Sequence, residues 1–154
     1  MATVYLGLGS NMGNKKDNIM KAVVRLSERV GGISALSSLY ETEPWGFDSE
    51  NTFLNAAVCM ETHLSPGQLL EVTQQIEREL GRTLKTDGTY HDRIIDIDLL
   101  MYDAVCFVTS DLVLPHPLMH ERLFVMEPLS EIAPDVKHPL LDQTFRELYD
   151  RLKK

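Results

Sequence analysis

Cysteine and long apolar runs are both scarce in this sequence. Only two cysteines, Cys59 and Cys106, occur among 154 residues, and each has apolar neighbours. Cysteines used in this way are typical of small buried side chains in a reducing compartment, not of a disulfide framework. No apolar run reaches the length of a membrane span, and the chain begins with a predicted strand instead of a signal peptide. We therefore expect a cytoplasmic protein that does not cross a membrane.

Positive charge is scarce as well. The chain has 15 Lys and Arg residues against 23 Asp and Glu residues, which gives a formal net charge of −8. A general surface for nucleic acid or for an anionic membrane would need a basic face, so neither partner is expected. Local Arg and Lys residues together with a metal ion could still bind a nucleotide. The chain is long enough for one domain with its own core, so we expect a single domain over residues 1–154.

The predicted elements occur in the order β-α-β-β-α-β, followed by a C-terminal extension. Apolar stripes indicate the helices, and Ser65, Pro66 and Gln68 predict a capped start for the second one. This order is typical of an α+β, ferredoxin-like sheet with helices on its faces, the first two of them on one face. The predicted strands are Thr3–Leu8, Ile33–Thr42 (with a bulge), Phe53–Thr62 and Ile94–Met101, and the predicted helices are Lys16–Val30, Ser65–Gly81, Met119–Glu127 and Gln143–Leu152.

Asp96 and Asp98 stand within the apolar run Ile94–Met101 and give the strongest chemical signal. Side chains at positions i and i+2 of a strand share a face and lie roughly 6–7 Å apart. Two carboxylates placed in this way would repel each other and lose hydration. Mg²⁺, which usually takes one or two carboxylates plus substrate phosphates, would remove both costs. On these residues alone, an acidic face turned to solvent and paired with a nearby Arg is equally compatible.

The glycine-rich segment Gly7–Gly13 fits neither of two common nucleotide motifs. Its third glycine comes one residue late for a dinucleotide fingerprint, and no Gly-Lys-Ser/Thr sequence closes a P-loop. We interpret the segment as a tight turn from strand to helix. Because glycine has no Cβ, the backbone of such a turn can approach a flat ligand.

Three further features are compatible with either a ligand or a structural role. Asn55, in the middle of an apolar strand, would bond either to loop backbone or to the edge of a heterocycle. Trp45, in a loop with Pro and Gly, would close over a flat ligand or pack against the domain. Arg82, Lys85 and Arg93 flank the loop before the acidic strand, where they would be solvated or would contact phosphates.

In their order and spacing, these segments resemble the 6-hydroxymethyl-7,8-dihydropterin pyrophosphokinase family of folate synthesis. The resemblance covers nearly the whole chain, and the ordered combination is more specific than any one segment. The segments that carry it are Leu8–Gly13, Tyr40–Pro44, Phe53–Val58, Ile76 and Glu77 with Arg82, Asp92–Leu100, Leu114–Pro117 and Glu121–Phe124.

The resemblance implies transfer of the β,γ-pyrophosphoryl group of ATP to the hydroxymethyl oxygen of 6-hydroxymethyl-7,8-dihydropterin, with release of AMP. It also implies two Mg²⁺ ions held by Asp96 and Asp98, with ATP and the pterin as partners, and we expect a monomer. The catalytic residues that it implies are Arg82, Arg93, Asp96 and Asp98. Those implied for the pterin are Thr42, Pro44, Trp45, Phe53, Asn55, Arg122 and Phe124, and those implied for ATP are Gln74, Glu77, Lys85, Tyr90 and His116.

The sequence departs from the family pattern ahead of the acidic strand. Relatives usually carry Arg-Trp-Gly-Pro-Arg where this chain has Thr89-Tyr90-His91-Asp92-Arg93. Tyr90 would then replace the tryptophan, and Lys85 would replace a second loop arginine with a point charge in place of a bidentate fork. Two other functions stay open on the residues: a non-catalytic ferredoxin-like module that binds a small molecule without Mg²⁺, and a Mg-dependent nucleotide hydrolase.

Overall fold

The computed structural model describes residues 1–42, 52–81 and 94–154. Its main feature is an antiparallel five-stranded sheet in the order β2-β4-β1-β5, with β3 paired to β4. The strands of this sheet are β1 (Ala2–Ser10), β2 (Gly31–Leu36), β3 (Tyr40–Thr42), β4 (Phe53–Thr62) and β5 (Asp96–Tyr102). The other elements are α1 (Lys15–Arg29), α2 (Pro66–Glu79), the hairpin strands β6 (Phe107–Val108) and β7 (Val113–Leu114), a 3₁₀ turn at Met119–Glu121, α3 (Leu123–Ile132) and α4 (Phe145–Leu152).

Strands that a helix connects are never neighbours in this sheet. Helix α1 joins β1 to β2, but β4 lies between them, and α2 joins β4 to β5, but β1 lies between them. This split β-α-β arrangement is the ferredoxin-like topology. The predicted fold class is therefore confirmed.

The sheet separates two apolar cores because its side chains alternate between faces. Val4, Leu6 and Leu8 of β1 pack with α1 and α2 on one face. Tyr5 of β1 belongs to the second core, which α3 and α4 cover on the other face. The first two helices thus share a face, as predicted, and the C-terminal extension supplies the cover for the opposite face.

Helix α2 begins where its capping residues predict. The Ser65 hydroxyl accepts a hydrogen bond from the Gln68 backbone N–H, and the Gln68 side chain accepts one from the Ser65 N–H. This capping box satisfies two backbone donors that the first turn leaves without helical partners. The start of α2 is therefore fixed by the chain itself.

The predicted strand Ile33–Thr42 is two strands, β2 and β3, that both pair with β4. The expected bulge is present, between Ile33 and Ala35. The strand is interrupted at residues 37–39, where the Ser38 N–H donates to the carboxylate of Glu131 on α3 and not to a neighbouring strand. A single-strand prediction could not anticipate a partner so distant in the chain.

Three other expectations were wrong in detail. Gly7 and Gly9 belong to β1 and not to a turn, since β1 stays paired with β4 as far as Ser10. The helix predicted at Met119–Glu127 is a 3₁₀ turn followed by α3, which continues through the buried Pro128 because apolar packing outweighs the lost N–H donor. Cys59 and Cys106 are both free, but neither is fully buried: Cys59 is partly exposed, and Cys106, between β5 and β6, is exposed. Among the described residues, no helix is long and apolar enough to cross a membrane.

Candidate active site

Pairing across the sheet places the polar residues of three strands in one row. Gly9 of β1 pairs with Asn55 of β4 on one side and with Asp96 of β5 on the other. Two residues along, Gly7 pairs with Ala57 and with Asp98 in the same way. All of these residues face α3, the face opposite α1 and α2. Asn55 and the two aspartates therefore lie on the same surface, with the two glycines between them.

The two glycines leave the middle of this surface without side chains. A Cβ on Gly9 would lie 3.1 Å from Oδ1 of Asn55, which is tighter than an ordinary van der Waals contact. A Cβ on Gly7 would meet only the end of the Leu100 side chain, at 3.5 Å. Their absent side chains leave a cavity of about 660 Å³, open mouth included, that Asn55, Asp96, Asp98, Thr42 and Phe53 line together with Arg122 and Phe124. We call this space the first cavity.

Asn55 is 5% exposed and is held by its neighbour on β3. Its Nδ2 donates to the Thr42 hydroxyl over 2.7 Å, which fixes the orientation of the amide. Its Oδ1 then points across the strand toward Gly9, at the floor of the first cavity. Of the two roles that the sequence left open, Asn55 combines a structural bond to Thr42 with a carbonyl that can read a ligand edge.

Strand β3 is itself anchored to α3. The carboxylate of Glu131 accepts hydrogen bonds from the Ser38 N–H, the Ser38 hydroxyl and the Tyr40 hydroxyl, at 2.5–3.1 Å. The bond from Tyr40, with help from Ser38, holds the pKa of Glu131 below its usual value. This contact joins the Thr42 side of the first cavity to the helix that covers it.

The covering side of the cavity is the start of α3. Arg122 is 6% exposed, and its guanidinium carbon lies 5.6 Å from the centroid of the Phe124 ring. This is within the range of a cation–π contact. The phenylalanine ring thus lines the cavity beside a buried positive charge.

A second cavity lies on the other side of the aspartates. It measures about 1090 Å³, open mouth included. Asp96, Asp98 and Arg122 line both cavities, so these three side chains form the boundary between them. The other residues that line the second cavity include Gln74 and Glu77 of α2, His116, and Ser110–Val113 of the β6–β7 hairpin.

His116 is positioned by bonds at both its backbone and its ring. Its N–H donates to the Leu100 carbonyl of β5 over 2.9 Å, and its ring Nδ1 accepts from the Leu118 N–H over 3.2 Å. Burial, and secondarily the charge of Arg122, lower the pKa of His116 to about 4, while Asp96 acts weakly in the opposite direction. The ring is therefore neutral at physiological pH and carries its proton on Nε2, which is free to serve as a donor.

The donor chemistry of the Asp96–Asp98 pair suits Mg²⁺. Both are carboxylates on one face of β5, and both line both cavities. Within the described ranges, no group of three or more His, Cys, Asp and Glu side chains gathers into a ready-made metal site. Two carboxylates are the protein share that Mg²⁺ takes when substrate phosphates and water complete its shell.

The described structure brings together ten of the predicted site residues. The first cavity contains Thr42, Phe53, Asn55, Arg122 and Phe124, the second contains Gln74, Glu77 and His116, and Asp96 and Asp98 line both. The predicted residues Pro44, Trp45, Arg82, Lys85, Tyr90 and Arg93 lie outside the described residues. The roles of all sixteen residues stay predictions, including those of the ten that the structure places at the cavities.

Individual sequence motifs did not predict the structural role of two residues that shape the site. Gly7 and Gly9 were interpreted as a turn, but an i, i+2 pair of glycines within a strand indicates a bare patch on one face of a sheet. The signal was present in the sequence. It could be used only with the register of β1 against β4 and β5.

Comparison with known proteins decides between the functions that the sequence left open. A sequence model of the 7,8-dihydro-6-hydroxymethylpterin-pyrophosphokinase (HPPK) family matches residues 5–134. The chain belongs to this family. A 2-amino-4-hydroxy-6-hydroxymethyldihydropteridine pyrophosphokinase from Porphyromonas gingivalis is 52% identical over 136 residues, which is 87% of this chain and 92% of that protein. The Bacillus subtilis protein of the same name is 42% identical over 134 residues, 86% of this chain and 79% of that protein.

A solved HPPK fold supports the topology independently of sequence. The crystal structure of Plasmodium falciparum HPPK-DHPS with pteroate superposes with a TM-score of 0.79 at 17% identity. The match covers 97% of this chain and 44% of that longer chain. At this identity the likeness shows the fold alone. Membership of the HPPK family gives the reaction: transfer of pyrophosphate from ATP to the hydroxymethyl group of the dihydropterin in folate synthesis.

Proposed function

We propose that this HPPK carries out its transfer at the boundary of the two cavities, with the pterin in the first and ATP in the second. The observation that carries the proposal is that Asp96, Asp98 and Arg122 line both spaces. In a transfer between two bound substrates, the groups that handle the moving pyrophosphoryl group must reach both. These three side chains are an acidic pair and a cation, the chemistry that this transfer requires.

The size and lining of the cavities support this assignment of substrates. The first cavity combines an aromatic ring, bare glycine backbone and the oriented Asn55 amide, which suits a flat heterocycle with hydrogen-bonding edges. The second is larger, and polar side chains of several short elements line it, which suits a nucleotide with a triphosphate. Asn55 would accept from the pterin edge while Phe124 stacks against the ring.

Asp96 and Asp98 would hold two Mg²⁺ ions together with the triphosphate. When bound, the ions supply charge neutralisation on the β- and γ-phosphates and alignment of the attacking and leaving oxygens. Arg122 places a permanent positive charge beside the transferred group. His116, neutral and protonated on Nε2, would donate to a phosphate oxygen without adding charge. Arg82 and Arg93 are expected to complete the cationic partners.

The experiment that tests the proposal measures AMP formation from ATP and Mg²⁺, with and without 6-hydroxymethyl-7,8-dihydropterin. We expect AMP only when both the pterin and Mg²⁺ are present, with no ADP. Release of phosphate or pyrophosphate without pterin would instead support the nucleotide hydrolase. Tight pterin binding without any turnover would support the non-catalytic module, and EDTA-resistant AMP formation would contradict the role of Mg²⁺.

A further inference from the structure

The strand that carries the two aspartates lies at the edge of the sheet. Among the described strands, β5 pairs with β1 alone, so its other edge has no strand beside it. Asp96 and Asp98 form the beginning of this strand, directly after residues 82–93. An edge strand is held less firmly than a central one. Two carboxylates that must converge on the same ions therefore need an additional restraint on their backbone.

A carboxylate from α2 supplies a restraint at the midpoint of the pair. Oε2 of Glu77 accepts a hydrogen bond from the Ile97 N–H over 2.7 Å. Ile97 is the residue between the two aspartates, and its N–H belongs to the peptide group that joins it to Asp96, so this bond restrains the backbone directly after Asp96 and one residue before Asp98. Glu77 is only 3% exposed, so water competes little for this hydrogen bond.

Helix α2, which carries Glu77, is itself fixed by its N-terminal cap and by the core. Its capping box fixes its start, and Leu69, Thr73 and Ile76 on its inward side are each 1% exposed or less. Thr73 and Glu77 are four residues apart and therefore lie on the same face of the helix. The position of Glu77 is set by the core and is transmitted to β5 through the hydrogen bond from the Ile97 N–H.

The resemblance to the family suggested a place for Glu77 on the ATP side. Glu77 does border the second cavity, but almost all of its surface is buried. A carboxylate is also a poor contact for phosphates, because like charges repel. The bond to Ile97 gives the Glu77 side chain a structural role that needs no contact with the nucleotide.

We propose that Glu77 is a positioning residue whose bond to the Ile97 amide holds Asp96 and Asp98 in the geometry that binds the metal ions. This inference rests on the proposed roles of the aspartates and Mg²⁺. It predicts that the length of the side chain at position 77 matters more than its charge. Glutamine keeps an acceptor at the same reach, whereas aspartate is one methylene too short and leucine has no acceptor at all.

The test compares Glu77→Gln, Glu77→Asp and Glu77→Leu with the parent protein and with Glu71→Gln, which changes an exposed carboxylate on the same helix. The first readout is hydrogen exchange of the Ile97 amide by NMR, which needs neither substrate nor turnover. The second is Mn²⁺ affinity by EPR in the presence of α,β-methylene ATP, in which the bond that breaks during transfer is replaced. The third is affinity for the same analogue without metal.

We expect Glu77→Asp and Glu77→Leu to speed exchange of the Ile97 amide by tenfold or more and to weaken Mn²⁺ binding by a similar factor. Glu77→Gln should stay within about threefold of the parent in both readouts, and Glu71→Gln should match the parent. If Glu77→Leu does not fold, the contrast between Glu77→Asp and Glu77→Gln carries the same test.

Parental exchange and Mn²⁺ affinity in Glu77→Asp would overturn the proposal. So would a loss of metal-free analogue binding with unchanged Ile97 exchange, since that pattern indicates a direct nucleotide contact. Failure of the parent protein to form AMP would contradict the proposed function instead. The Ile97 exchange experiment would still answer whether Glu77 holds the strand.

Discussion

The two cavities on either side of Asp96 and Asp98 are built in different ways. The first is formed largely within the sheet, where Asn55 is bonded to Thr42 and cross-strand pairing fixes its distance from the aspartates. The second is assembled from α2, a short hairpin and the segment around His116. In the second, Glu77 and His116 bond to the backbone of β5.

With the proposed positions of the substrates, this difference divides recognition of the pterin from the chemistry. A flat heterocycle is recognised through its hydrogen-bonding edge, which requires protein groups in fixed positions. A paired sheet holds such groups in place, so that little further conformational entropy is lost on binding. The side proposed for the nucleotide has a different structural task, because Glu77 and His116 also bond to the edge strand that carries the acidic pair. Substitutions in the two cavities should therefore have different effects on substrate binding and turnover.

The largest effect is expected where the two cavities meet. Asp96→Ala or Asp98→Ala should lower turnover on the order of 10³-fold, because each removes an oxygen ligand and negative charge from the proposed metal site. The fold should persist, since both side chains are only part-buried. Steady-state AMP formation and thermal unfolding check this, with Asp135→Asn as an exposed control. Near-parental turnover in either variant would contradict the metal assignment.

The next test separates the two sides. Asn55→Ala should weaken pterin binding by about 10- to 100-fold, because it removes a buried group that is matched to the ligand edge. ATP binding should change little. Gln74→Ala, on the exposed side of α2, should show the reverse pattern with a smaller loss of about threefold. Equilibrium titrations with each substrate measure both. Equal losses for both substrates in both variants would remove the distinction between the cavities.

A pH experiment tests the state of His116, which lines the second cavity, without substrates. His116 is buried with its pKa lowered to about 4 from an unfolded value near 6.5. The unfolded chain therefore binds an extra proton between these values, so stability is full above pH 6.5 and falls as the pH drops toward 4. The expected loss is about 3 kcal/mol. Urea unfolding at several pH values measures it.

The matched variant for the pH experiment is His116→Asn, which keeps an acceptor near the Leu118 N–H but does not titrate. His138 has a lowered pKa as well, through burial and then His120, and it contributes a slope of the same sign. The difference between parent and variant isolates His116. Parallel stability curves for the two proteins between pH 4 and 6.5 would show that His116 is not buried as a neutral ring.

The sequence predicted the chemistry of this site better than its shape. Periodicity placed Asp96 and Asp98 on one face, and the polar Asn55 stood out from an apolar strand. The contact between Glu77 and Ile97 could not be predicted, because it depends on how α2 crosses the edge of the sheet. The same holds for Ser38, whose bond to Glu131 joins residues 93 positions apart and divides a predicted strand in two.

The smallest effect is expected at Gly9, on the floor of the first cavity. Gly9→Ala should weaken pterin binding by roughly three- to tenfold, because the new methyl group lies 3.1 Å from Oδ1 of Asn55 and must displace the amide. Gly32→Ala is the matched control, since nothing lies within 4 Å of a Cβ there on strand β2 of the same sheet. Pterin titration and thermal unfolding are measured for both. If Gly9→Ala binds the pterin like the control, Asn55 either shifts freely or does not read the pterin edge, and the rigidity assigned to the first cavity fails.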